Sequence, residues 1–130
     1  MSSKTTESQS NYKRLGGNGC GTAVVAADFT PSAGFGATAS VSVATGSTDM
    51  RGEITITAAG AGTGANPTCA FVFKDGAYEA APFVVVCATG GSQPTVPWTV
   101  TSRATTGFTV TFNGTASAAE TYKLAWHVIG

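Results

Sequence analysis

Gly52–Cys87 reads GEITITAAGAGTGANPTCAFVFKDGAYEAAPFVVVC, and this stretch decides the fold class. Three short runs within it, GEITITA, TCAFVFK and PFVVVCA, are rich in β-branched and aromatic residues, and Gly, Pro, Asn and Asp separate them. That pattern marks strands joined by turns. In the first run Ile54 and Ile56 alternate with Thr55 and Thr57, so one face is apolar and the other meets water. The second and third runs are apolar at nearly every position, which predicts strands covered on both faces. Three strands alone leave an apolar face to bury, so the rest of the chain must supply a second sheet.

Working outward, TAVVAAD from Thr22 is an apolar run closed by the Pro31 region, and ATASVSVAT places Ala39, Val41 and Val43 on one face. AGFGATA has room for a single helical turn, but its glycines argue against one. Downstream, GGSQPTVP is a loop in which Pro94 and Pro97 exclude regular pairing. WTVTSR and GFTVTF follow as strands around a turn at Thr106 and Gly107. Asn113-Gly114 is a turn signal, although the polar residues up to Glu120 suggest a longer loop. TYKLAWHVI then points Tyr122, Leu124, Trp126 and Val128 inward and leaves His127 outward.

Strand signals at steps of about ten residues, with no helical period, predict an all-β fold. The expected form is an antiparallel β-sandwich or jelly-roll-like domain of about eight strands over residues 22–130. Its expected inward set is Ile54, Ile56, Phe71, Phe73, Val85, Trp98, Phe108, Val110, Leu124 and Trp126. Residues 1–21 are polar and then Gly-rich, and form an extended N-terminal arm with nothing to bury. Fully extended, such an arm reaches about 70 Å, enough to lie across a neighbouring subunit.

Composition narrows the function. Charged residues make up 11% of the chain and the net charge is zero, against about 25% charged in an ordinary soluble domain. With no basic stripe, nucleic acid is not expected as a main partner, because that binding rests on neutralising phosphates. MSSKTTESQSNYKRLGG lacks the apolar core of a secretory signal, and no run approaches the roughly 18 apolar residues that cross a membrane. The expectation is therefore synthesis in a cytoplasm without membrane insertion, and a low-charge surface partly covered by partners.

The chemistry-bearing residues are few. If TCAFVFK and PFVVVCA pair around a loop centred on Tyr78, Cys69 falls opposite Cys87, at a spacing of about 4.5–5.5 Å that a disulfide can span. The competing reading is two reduced core thiols. Cys20, on the arm, is either an incidental free thiol or one that cross-links to a neighbouring subunit. His127, the single histidine, has no Ser, Cys or carboxylate at a spacing that marks a catalytic partner, and no Cys/His spacing suggests zinc. GAGTGANP lacks the Lys and Ser/Thr of a phosphate-binding loop. No catalytic group, cofactor or metal is expected. Tyr78, Tyr122 and Trp126 would make a carbohydrate platform if exposed, although inward burial accounts better for Trp126.

A family resemblance emerges from five pieces in one order. Asp49-Met50-Arg51-Gly52-Glu53-Ile54-Thr55-Ile56-Thr57 resembles the D-x-x-G-x-I-x-I/L strand of a β domain in virion proteins of tailed phages. The aromatic strand Phe71-Val72-Phe73 follows, and then a Y-x-x-A-P-x-V-V-V segment matched by Tyr78, Ala81, Pro82, Val84, Val85 and Val86. Thr106-Gly107-Phe108-Thr109-Val110 and the closing stretch from Thr121 to Gly130 complete it, so the resemblance spans residues 49–130. It implies a non-enzymatic β-sandwich on head fibres, tail fibres or capsid-decorating proteins, often trimeric. Only a short polar arm precedes the domain here, which suggests a small accessory protein seated directly on the particle; the three cysteines lie outside the family pattern. Under this reading the arm anchors the protein to capsid or tail proteins, with Tyr12 and Leu15 as apolar contacts and Lys4, Lys13 and Arg14 facing acidic surface. A glycan-binding host-attachment module is the alternative.

Overall fold

Eight strands carry the fold of the computed structural model, which describes residues 21–93 and 95–130. They are β1 Phe29–Pro31, β2 Ser40–Val43, β3 Arg51–Thr57, β4 Thr68–Val72, β5 Phe83–Gly91, β6 Trp98–Ala104, β7 Gly107–Phe112 and β8 Thr121–Ile129. They form two antiparallel four-stranded sheets, in the orders β1-β4-β7-β6 and β2-β3-β8-β5. The chain is an all-β sandwich. Two hairpins, β2-β3 and β6-β7, stay within one sheet; every other connection crosses to the opposite sheet.

The period-two patterns explain which faces meet. In β8 the residues Tyr122, Leu124, Trp126 and Val128 are all buried, while His127 and Ile129 are exposed. Across the ladder Ile54 faces Leu124 and Ile56 faces Tyr122, and in the other sheet Phe71 faces Phe108 and Cys69 faces Val110. Aromatic rings fill both ends of the interior. At one end Phe29 stacks on Phe71 with centroids 4.5 Å apart, and Trp126 tilts against both at 5.4 Å. At the other, Phe112 meets Tyr122 at 4.6 Å, and Phe35 and Trp98 close the cluster. Each such pair adds about 0.5–1.5 kcal/mol beyond its buried area.

Gly52 is set by this packing. It lies opposite Trp126 in the ladder, and a Cβ at this position would collide with the indole and with Ser47. The indole N–H donates to the Thr48 carbonyl at 3.1 Å, which fixes the ring across the glycine. The loop before β3 is thereby buried, and Ser47, Thr48 and Asp49 are the buried polar residues of the chain's described part.

Several sequence expectations are corrected. TCAFVFK and PFVVVCA do not form a hairpin about Tyr78. They become β4 and β5 of opposite sheets, joined by a crossing loop over residues 73–82. Nor is β5 covered on both faces: its residues alternate exposed and half-buried, and Val85, expected inside, is 58% exposed. The rest of the expected inward set is buried, apart from the half-buried Trp98. TAVVAAD holds a 3-10 turn at Ala26–Asp28, with the strand starting only at Phe29, and a second 3-10 turn spans Ala33–Phe35 despite the glycine. Asn113-Gly114 closes no hairpin; the Gly114 carbonyl instead accepts the Asn66 N–H at 2.7 Å, tying two crossing loops together. Pro94 lies outside the described residues.

Candidate functional site: an apolar sheet edge

The four sheet edges differ in how they are closed. β1 is three residues long and ends in Pro31, β2 has four residues, and β6 carries Arg103. β5 has nine residues, FVVVCATGG, none charged, and pairs on one side only, with β8. Exposed edges are normally shortened, charged or broken by proline. β5 has none of these within the strand.

The outward face beside this edge is also apolar. Phe83 is 68% exposed and Ile129, its ladder partner on β8, is 44% exposed; Val85 and Cys87 continue the row. The inward row Val84 and Val86 packs on the core. Both rows of β5 are apolar, so alternation in the sequence is silent about which faces in, whereas the alternation of β8 does place Ile129 outward beside His127. The clue available was the complete lack of charge over a nine-residue strand.

Arg103 reaches this edge from the other sheet. A β-bulge between Val100 and Ser102 shifts the register of β6, so that Arg103 falls opposite the inward-facing Phe108. Bulges re-aim side chains in this way. The guanidinium lies 5.2 Å from the centre of the Phe83 ring, and its Nη1 donates to the Pro82 carbonyl at 2.9 Å. At an exposed ring such a contact is worth about 0.5–1 kcal/mol. Beyond Phe83 an open cleft is lined by residues 77–83 with Ile129 and Gly130. Tyr78 forms one wall, held by its N–H on the Thr105 carbonyl at 2.9 Å and by an edge contact of 5.1 Å with Phe73.

Gly21, the first described residue, lies at the same end of the sandwich. Gly21 lines a neighbouring cleft with Asp49, Met50, Asp75 and Tyr78. Thr22 donates to the Asp75 carboxylate through both its N–H, at 2.7 Å, and its hydroxyl. Asp49 clamps the start of the crossing loop: its two oxygens accept the N–H groups of Lys74 and Asp75, each at 2.7 Å. Burial pushes the Asp49 carboxyl above its ordinary range; the two N–H bonds pull it back, and the charges of Asp75 and Asp28 raise it further. The aspartate and glycine that carry the resemblance thus have structural work, in the loop clamp and under Trp126.

No protein-family model, curated protein or solved structure matches the chain.

The remaining sequence candidates are dispersed. Cys69 is buried in the core and Cys87 lies on the outer face of the opposite sheet; both are free thiols, so the disulfide reading is overturned. The ladder partners are Val110 and Pro31 for Cys69 and Ala125 for Cys87. Burial pushes the Cys69 thiol up to about 12, so it stays protonated. Lys4, Tyr12, Lys13, Arg14, Leu15 and Cys20 lie outside the described residues. Tyr78, Tyr122 and Trp126 make no exposed aromatic platform, because Tyr122 and Trp126 are buried. The Tyr122 hydroxyl instead donates to Glu120 at 2.9 Å and accepts the Ser117 N–H at 3.0 Å, pinning the loop before β8. His127 is exposed, with Arg51 and Val85 as its ladder partners. Among the described residues no group of three or more His, Cys, Asp or Glu could hold a metal ion.

Proposed function

We propose that the chain is a non-enzymatic virion structural protein of a tailed phage, an accessory or decoration protein that presents its sandwich on the particle exterior and is anchored by its N-terminal arm. The observation that carries this reading is the uncharged apolar edge of β5, exposed beside the crossing loop whose Tyr78 also lines the cleft at Gly21. It is a surface suited to lasting contact with protein. The low charge of the whole chain supports the same reading, since a sparsely charged surface is best kept soluble within an assembly. So does the placement of the resembling residues Asp49 and Gly52, which hold together the loop and strand nearest the arm root.

In this reading the arm supplies attachment. Tyr12 and Leu15 bury against capsid or tail protein, and Lys4, Lys13 and Arg14 face acidic surface. A free chain of this composition does not recover the ordering cost of about 1–2 kcal/mol per residue, so the neighbour provides the contacts. The protein acts as a homo-oligomer in the particle and needs no cofactor. Deleting residues 2–15 is expected to leave the sandwich folded, with an unchanged circular dichroism spectrum, and to remove the protein from purified particles. Normal occupancy by the truncated form would move attachment to the sandwich.

A further inference from the structure

We propose that in the free protein the segment Asn11–Leu15 of the same chain docks in the two acidic clefts that flank Tyr78. This concerns the chain before it meets a partner, and it holds whether or not the particle reading does. The first ground is charge. The net charge of zero conceals a split: residues 1–20 carry Lys4, Lys13 and Arg14 against Glu7 alone, and the rest of the chain carries six carboxylates against four cations. Three of the six, Asp49, Asp75 and Glu79, line the two clefts, and among the described residues no Lys or Arg lines either. Lys74, next to Asp75 in the chain, pairs with Asp28 at 3.2 Å, and Arg103 holds the Pro82 carbonyl. Asp49 is buried, so Asp75 and Glu79, both exposed, present the negative face. Complementary charge across a contact selects its partner and fixes its register.

The second ground is the shape of the receiving surface. The clefts measure about 320 and 540 Å³, and Ala77 and Tyr78 form their common wall. Tyr78 is already fixed there: besides its bond to Thr105 and its contact with Phe73, its ring lies so close to Gly130 that a Cβ at that glycine would collide. A wall set in advance adds no ordering cost to binding. In the larger cleft Ala80, Ala81 and Ile129 offer an apolar lining to Tyr12 and Leu15, while Glu79 and Asp75 face Lys13 and Arg14. The third ground is reach. Gly21 itself lines the smaller cleft. The six residues from Gly21 back to Leu15 span up to roughly 20 Å, enough to pass Tyr78 into the larger cleft. Gly16, Gly17 and Gly19 lie in this stretch and turn freely. A tether this short also holds the segment at high local concentration. Ordering it sets a conformational cost against these contacts, so the docked form is marginal and a partner that engages more of the arm displaces it.

The test uses the full chain in a Cys20→Ser, Cys87→Ser background, which leaves only the buried Cys69 as a native thiol. Leu15→Cys with Ala80→Cys, in the larger cleft, is expected to close an intrachain disulfide on mild oxidation, read as a monomer with no accessible thiol. Leu15→Cys with Ser42→Cys, on the edge strand β2 at the far side of the sheet from β5, should close roughly tenfold more slowly, because a tethered but undocked segment meets both sites alike. Adding Glu79→Lys to the first pair should slow closure roughly threefold, as loss of an exposed ion contact does. No closure at Ala80→Cys, equal closure at Ser42→Cys, closure unmoved by Glu79→Lys, or a disulfide between two copies in place of the intrachain one would each overturn the proposal.

Discussion

Cys69 and Cys87 sit in strands of similar composition and meet opposite environments. Cys69 points between the sheets, 2% exposed, and burial holds its proton on. Cys87 points out to solvent beside Val85. A thiolate is the reactive species and needs access to reagent, so the two should differ sharply. In a Cys20→Ser protein, a native-state thiol titration is expected to count one fast cysteine, Cys87, with Cys69 labelled only after denaturant is added. Fast labelling of both would place Cys69 outside the core. Gly52 is the complementary case, a residue defined by what leaves no room beside it. Gly52→Ala should cost about 1–3 kcal/mol through overpacking against Trp126, read as a lower urea midpoint; an unchanged midpoint would mean the indole is free to move.

Strands with one buried face were legible from sequence, and strands apolar on both faces were not. β8 alternates Tyr122, Leu124, Trp126 and Val128 with more polar residues, so its inward face could be read directly. β5 offers Val84 and Val86 on one face and Phe83 and Val85 on the other, and periodicity cannot choose between them. The two readings differ in an energetic outcome. Leu124→Ala, in the buried row, should cost about 2–5 kcal/mol. Val85→Ala, on the exposed row, should stay within about 0.5 kcal/mol, measured by urea unfolding at a concentration where the protein is monomeric. A loss above 2 kcal/mol for Val85→Ala would return it to the core. The pairing of Cys69 with Cys87 failed for a related reason: a short polar loop looks the same whether it turns a hairpin or crosses between sheets. What fixes residues 73–82 as a crossing is the grip of Asp49 on the Lys74 and Asp75 N–H groups, a contact between residues 25 and 26 positions apart that no local pattern encodes.

At the scale of the whole molecule, the sandwich class and most of the core were written in the order of the strands, while the candidate contact surface was not. The interior packs two aromatic clusters between the sheets and engages its buried polar side chains: among the described residues no buried side-chain nitrogen or oxygen lacks a partner. The unusual features among the described residues lie on the outside, in an uncharged edge and an apolar outward row. These support a protein built to be held by others. A reconstruction of the purified phage particle tests that claim most directly. The account expects the sandwich on the exterior, with residues 2–15 lying against capsid or tail subunits and Tyr12 and Leu15 buried in that contact. Particles that lack the protein, or an arm that projects into solvent while the sandwich makes all the contacts, would contradict it.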